Sequence, residues 1–210
     1  MKIRNLAIAA ALSGLAAIAI PSMSSYAADM MGAQVAANPS INVPQYTADG
    51  KVIQPKNWRR WVYVGTPVTP NALNNGKAAF PEFHNVYVEP SAFDHYSKTG
   101  KWPNGTQIAK ELVSVRKGGV SHKDGSSSEV SGRGYFQGTF QGLELAVKDT
   151  KRFSKEPGGW VYFSFGHKKP PYAKTASAFP AEKCNACHQA AAAEDWVFTQ
   201  FYPVIRAAKP

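Results

Sequence analysis

Sulfur is scarce in this sequence: its 210 residues include two cysteines and four methionines. A disulfide scaffold needs a denser cysteine framework, and a structural zinc site needs four ligands, so two cysteines with no second pair exclude both. The methionines are Met1, Met23, Met30 and Met31, so no thioether ligand is available in the rest of the chain. Long apolar runs are equally rare. Residues 6–20 form one that falls short of the about 20 residues a membrane-spanning helix requires, and nothing comparable follows. Blocks of like charge are missing as well. The net charge is +10, but the lysines and arginines are spread among acids and aromatics, which argues against a nucleic-acid-binding function.

Aromatic residues, by contrast, are plentiful. Eleven Phe, nine Tyr and five Trp in a chain that is 44% hydrophobic are enough to fill a core, and the length suits one domain with an appended segment. Lys2 and Arg4 precede the apolar run, which ends at Pro21 and is followed by Ser25 and Ala27. This is the pattern of a secretory leader over residues 1–27, cleaved near Ala27, and it predicts a periplasmic mature protein without a membrane span. Residues 28–55 read as an extended, partly mobile lead-in, and residues 56–210 as the domain, with the core beginning near Trp58.

Short runs of aromatic and β-branched residues at 61–64, 86–88, 107–115, 135–147 and 160–165 are separated by turn residues and predict an antiparallel sheet. Helical signals are confined to 91–98 and to a C-terminal stretch from 181 to about 193, with more helix to 208. The expected fold is therefore α+β, mainly antiparallel sheet with a C-terminal helical segment. Residues 117–134, rich in Gly and Ser without an apolar period, read as a long mobile loop.

Both cysteines lie in Cys184-Asn185-Ala186-Cys187-His188. C-x-x-C-H is the pattern for covalent attachment of haem c: two thiols reach the two vinyl groups, and the next residue sets an imidazole beneath the iron. Cys184 and Cys187 are thus the expected attachment points and His188 the iron ligand. The second axial position separates electron carriers from haems that bind small molecules. With methionine confined to the N-terminus, its candidates are His84, His95, His122, His167, a lysine, or no protein group at all. His95 and His122 have the setting of surface histidines.

Two strand residues stand out. In 107–115 a two-residue period sets Ile108, Lys110 and Leu112 on one face. Lys110 is either a lysine snorkelling at a sheet edge or one pointed into the haem pocket, where a desolvated amine is nucleophilic. In 135–147, unless a glycine bulge intervenes, one face carries Phe136, Gly138, Phe140, Gly142, Glu144 and Ala146. The glycines would leave room for a flat macrocycle and the phenylalanines would wall it. Glu144 is then either a base in that pocket or a solvent-facing residue opposite the buried Leu143 and Leu145.

Several stretches together, Trp61-Val62-Tyr63-Val64-Gly65-Thr66, Phe80-Pro81-Glu82-Phe83-His84-Asn85-Val86-Tyr87, Gly105-Thr106 with Lys110-Glu111-Leu112, Gly134-Tyr135-Phe136, and the C-x-x-C-H with the later Phe198-Thr199-Gln200, resemble the cytochrome P-460 family, whose fold is shared with the cytochromes c′-β. The resemblance covers residues 58–208. It implies that Lys110 is bonded covalently to a porphyrin meso carbon and that Glu144 is a carboxylate above the open iron site. It further implies oxidation of hydroxylamine, and of nitric oxide, at a five-coordinate haem, giving nitrous oxide, nitric oxide or nitrite. Electrons would pass to an exported cytochrome c, and the protein would be a homodimer. Two alternatives stand beside this reading. One is nitric oxide binding without turnover, as in the c′-β proteins, favoured by crowding from Phe136 and Phe140; the other is plain electron transfer with a histidine or lysine as sixth ligand.

Overall fold

The five aromatic and β-branched runs become one antiparallel sheet in the computed structural model, which describes residues 42–210. The elements in chain order are β1 (Val52–Ile53), β2 (Val62–Gly65), β3 (Phe83–Val88), helix α1 (Pro90–Thr99), β4 (Gln107–Val115), β5 (Val120–Ser121), β6 (Ser127–Glu129), β7 (Gly132–Gly134), β8 (Gln137–Lys148), β9 (Trp160–Ser164), β10 (Thr175–Ala176), α2 (Ala181–Ala191) and α3 (Pro203–Ala208). The main sheet has the order β2-β3-β4-β8-β9, so the α+β, mainly antiparallel architecture is as expected. No helix among the described residues is long and apolar enough to cross a membrane. The expected leader at 1–27 lies outside the described residues, as does the expected lead-in as far as residue 41.

Strand alternation divides the sheet into two faces, each with its own core. On the front, the register lines up Val86, Lys110, Glu144 and Ser164 in one row and Val88, Ile108, Ala146 and Tyr162 in the next. Helices α1 and α3 and the chain around Cys184 and Phe198 pack there. On the rear, Ala109, Leu143, Leu145 and Phe163 are covered by Trp58, Trp61 and the 172–176 segment. Trp160, Leu145 and Phe163 are almost completely buried, each contributing on the order of 2 kcal/mol. Helix α1 starts where the sequence signals it: Pro90 occupies its first turn, and the Glu89 carboxylate caps the Ala92 N–H.

Three expectations need correction. The lead-in does not reach residue 55: Tyr46 bridges to Val52, Val52 pairs with Ala176, and the Val52 side chain is fully buried. One apolar residue with a ladder partner is enough to tie this segment down, and no periodicity announces it. Residues 117–134 are not a mobile loop but a three-stranded antiparallel sheet, β5-β6-β7. Its stability is polar: His122 Nε2 lies 2.8 Å from Ser128 Oγ, and Arg133 pairs with Asp124 at 2.7 Å. The bond from the Ser126 hydroxyl and the Arg133 guanidinium hold the Asp124 carboxyl well below the usual carboxylate range. The third correction concerns β8. Its register shifts twice, between the partners of Leu112 and Val113 and again between those of Val113 and Val115. Each shift inserts an extra residue and turns the alternation over.

Candidate functional site

Helix α2 carries the attachment motif. Asn185, between the two cysteines, is buried and donates from Nδ2 to the Trp160 carbonyl at 2.8 Å, which pins the helix to β9. Cys184 packs against the front core while Cys187 is exposed, and both thiols are free. Burial raises the Cys184 pKa.

His188 sits in an aromatic cage, with ring centroids 4.3 Å from Tyr162 and 4.5 Å from Phe198. Its Nδ1 lies 2.8 Å from the Trp196 carbonyl oxygen. An N–H donated there fixes the tautomer and leaves the Nε2 lone pair for a metal. Burial lowers the His188 pKa, which keeps the ring neutral, as an iron ligand must be. The carbonyl is itself held in position. Asp195 and Trp196 both adopt left-handed backbone conformations, with φ of 44° and 58°, and this costs energy that the surroundings must offset. Asp195 is clamped by Lys148 Nζ at 2.6 Å and by Trp160 Nε1 at 3.3 Å. The Trp196 ring lies over Gly158, where a Cβ would come within 2.6 Å of it. This anchorage escapes sequence reading, because its working atom is a backbone carbonyl and no side-chain motif marks one.

Lys110 and Glu144 are direct cross-strand partners, and Lys110 Nζ lies 2.6 Å from Glu144 Oε2. Strand β4 lies at the centre of the sheet, with β3 and β8 as neighbours, so Lys110 is not snorkelling at an edge. Glu144 faces the lysine rather than solvent, and about a quarter of each side chain remains accessible. Both charges act on Cys184 and on His188, so the pair and the attachment motif share one site. The ring of Phe80 lies 4.4 Å from Lys110 Nζ.

The phenylalanine walls do not both form. The first register shift turns Phe140 onto the rear face, where it is 41% exposed and lies under the Arg59 guanidinium at 4.6 Å. Phe136 stands ahead of β8, half-buried, with its ring near Gly134. Among the described residues no aromatic or hydrogen-bond contact joins its side chain to Lys110, Glu144 or His188. Of the other histidines, His95 is exposed and His122 belongs to the small sheet. His167 bonds to Glu82 at 2.8 Å. His84 lies on the front face, cross-strand from Leu112, and its buried Nε2 has no hydrogen-bond partner. Burial, with Lys110 adding to it, pushes His84 down to about 4.

Two free thiols on one helix, a half-buried neutral imidazole presenting Nε2, and a front-face amine and carboxylate beside them suit a haem bound through Cys184 and Cys187. The model of the family described as Cytochrome P460 matches residues 55–199, most of the chain. No curated protein matches it.

Proposed function

The chain belongs to the cytochrome P460 family, whose members are haem c redox proteins, and from that premise we propose that it oxidises hydroxylamine to nitrous oxide, nitric oxide or nitrite. The observation that carries this reading is the 2.6 Å contact between Lys110 Nζ and Glu144 Oε2 on the face that also packs Cys184. In this reading Cys184 and Cys187 form the thioether links, His188 Nε2 ligates the iron, and Lys110 joins the macrocycle. The haem, when bound, supplies the electron sink and an open coordination position for the substrate.

The chain's own part is proton handling and placement. Removing electrons from hydroxylamine requires removing its N–H and O–H protons, and a carboxylate at hydrogen-bond reach accelerates such transfers by about 100-fold or more. Glu144 is that carboxylate. As a free amine Lys110 occupies Glu144; held as a substituent of the ring it would carry no ammonium charge, and Glu144 would be free to accept protons. The Tyr162–Phe198 cage and the Trp196 carbonyl fix the imidazole below. Export to the periplasm, a homodimeric assembly and delivery of electrons to an exported cytochrome c complete the proposal.

Nitric oxide binding without turnover drew its support from two phenylalanines crowding the pocket, and Phe140 faces the other way. The test uses the purified holoprotein. A strongly red-shifted Soret band on reduction and a haem-linked Lys110 peptide by mass spectrometry are expected, and Lys110→Leu should lose both while keeping the thioether haem. Glu144→Gln should bind hydroxylamine yet oxidise it about 100-fold more slowly. An ordinary c-type spectrum with a free Lys110 peptide, or unchanged turnover in Glu144→Gln, overturns the respective assignment.

A further inference from the structure

Oxidation of hydroxylamine releases at least one proton for every electron, and a single carboxylate holds only one at a time. We infer that His84, Glu82 and His167 form a proton path that carries protons from Glu144 to solvent; this inference rests on Glu144 being the proton acceptor.

The geometry is a line along the front face. The row next to the one holding Lys110 and Glu144 contains His84, Leu112 and Gly142. Glu82 stands in the bend just ahead of β3, two residues before His84. His84 feels the charges of Lys110, Glu144 and Glu82, with the Phe80 carbonyl engaging its ring as well. Gly142 lets the turn after β9 come close: a Cβ there would lie 3.2 Å from the Gly166 carbonyl and 3.4 Å from His167 Cα. That approach brings His167 to Glu82, Nε2 to Oε1, at 2.8 Å. Glu82 is 5% exposed, whereas the His167 side chain is 56% exposed, so the line runs from the interior to the surface. It ends between two clefts, one of about 530 Å³ lined in part by Glu82 and Gln141 and one of about 460 Å³ lined by Gln141, His167, Lys168 and Lys169.

Two buried polar atoms along this line, His84 Nε2 and Glu82 Oε2, have no hydrogen-bond partner within the protein. Buried polar groups are nearly always satisfied, so two orphans two residues apart mark places that water or a passing proton can occupy. Burial keeps His84 neutral, with its ring able to accept a proton and release it at once. A proton accepted by Glu144 passes to Nε2 of His84 and on to Oε2 of the Glu82 carboxylate; rotation of that carboxyl carries it to the His167 side, where the neutral ring takes it on Nε2 and, turning outward, releases it to water, each step direct or through bridging waters. Each carrier returns to its starting form, and no electron moves along this route.

The test is a pH jump on the resting ferric holoprotein in weak buffer, with no hydroxylamine, following the Soret band as the site re-equilibrates. Glu82→Gln should slow that relaxation by about tenfold or more and lower kcat in weak buffer without changing KM, and added imidazole should restore both rates. His167→Ala, at a half-exposed position, should slow the relaxation in the same way and serves where Glu82→Gln does not fold. Unchanged relaxation in these variants, or no pH response in the wild type, overturns the path. So does a low-spin spectrum that His84→Leu converts to high spin, because His84 is then an iron ligand. If the wild type does not oxidise hydroxylamine but Glu82→Gln still slows the relaxation, the path stands and the assigned reaction falls.

Discussion

Each face of the central sheet holds one carboxylate from neighbouring strand positions, and the two are treated in opposite ways. On the rear, Glu111 is fully buried and saturated: the Arg59 fork reaches both oxygens, at 2.5 and 3.2 Å, and the Tyr172 hydroxyl donates at 2.9 Å. Arg59 is held in turn over Trp58 and Phe140, each 4.6 Å away. On the front, Glu144 has one ionic partner, Lys110, remains partly accessible, and adjoins a row with the unpartnered Nε2 of His84. A saturated carboxylate is structural because it has no capacity left to exchange protons. A carboxylate with one displaceable partner keeps that capacity, and the difference suits the front face to the proposed chemistry and the rear face to rigidity.

The comparison breaks most decisively at Arg59. Arg59→Leu leaves Glu111 as an uncompensated buried charge and should cost about 4 kcal/mol of stability by denaturant unfolding. The Soret band of the folded fraction should stay unchanged, because the loss is on the far side of the sheet. A spectral change would show that the faces are coupled.

His84 gives the next largest effect, through pH. Its folded pKa of about 4 lies below the ordinary value of 6.5. Between those values the unfolded chain binds the proton and the folded one does not, so His84 costs the fold nothing above pH 6.5 and progressively more as pH falls toward 4. The full difference is about 3 kcal/mol. Subtracting the unfolding free energies of His84→Leu from those of the wild type across this window should recover that slope, and parallel curves would show that His84 is not held neutral.

Much of this was legible in the residues themselves. Two cysteines, one histidine and their spacing name the attachment site, and the alternation of Ile108, Lys110 and Leu112 sets the lysine on the face that holds the motif. What stayed hidden was of three kinds. Register shifts in β8 are set by the facing strand, so an unbroken alternation through Gly138 and Gly142 put Phe140 on the wrong face. The sheet at 120–134 is held by Asp124, Arg133, Ser126 and Ser128 instead of by apolar burial, and a search for hydrophobic periods passes over it. The support of His188 comes from the Trp196 carbonyl and the Lys148–Asp195 pair, which depend on tertiary contacts between β8 and the chain after α2.

A smaller effect is expected where the front face is relieved of its own charges. Lys110 and Glu144 are only about a quarter accessible, but replacing both, by Leu and Gln, leaves no unpaired charge and should change stability by less than about 1 kcal/mol, while the proposed activity is lost. A loss as large as that of Arg59→Leu would mean the front pair is structural too, and the contrast between the faces would disappear.

The smallest effect is the sharpest test of the sheet register. Phe140 is 41% exposed, and the Arg59 guanidinium lies over its ring at 4.6 Å. Truncation to Ala removes one exposed cation–π contact, worth about 0.5 kcal/mol, and the lost half unit should come entirely from the rear face. Combined with Arg59→Leu, Phe140→Ala should then add almost nothing, because the contact it makes is already gone. Ligand binding at the haem should be the same in wild type and Phe140→Ala. If the substitution instead changed the rate of nitric oxide binding, Phe140 would have to face the haem, the first register shift in β8 would be misplaced, and the gas-binding reading would regain its support.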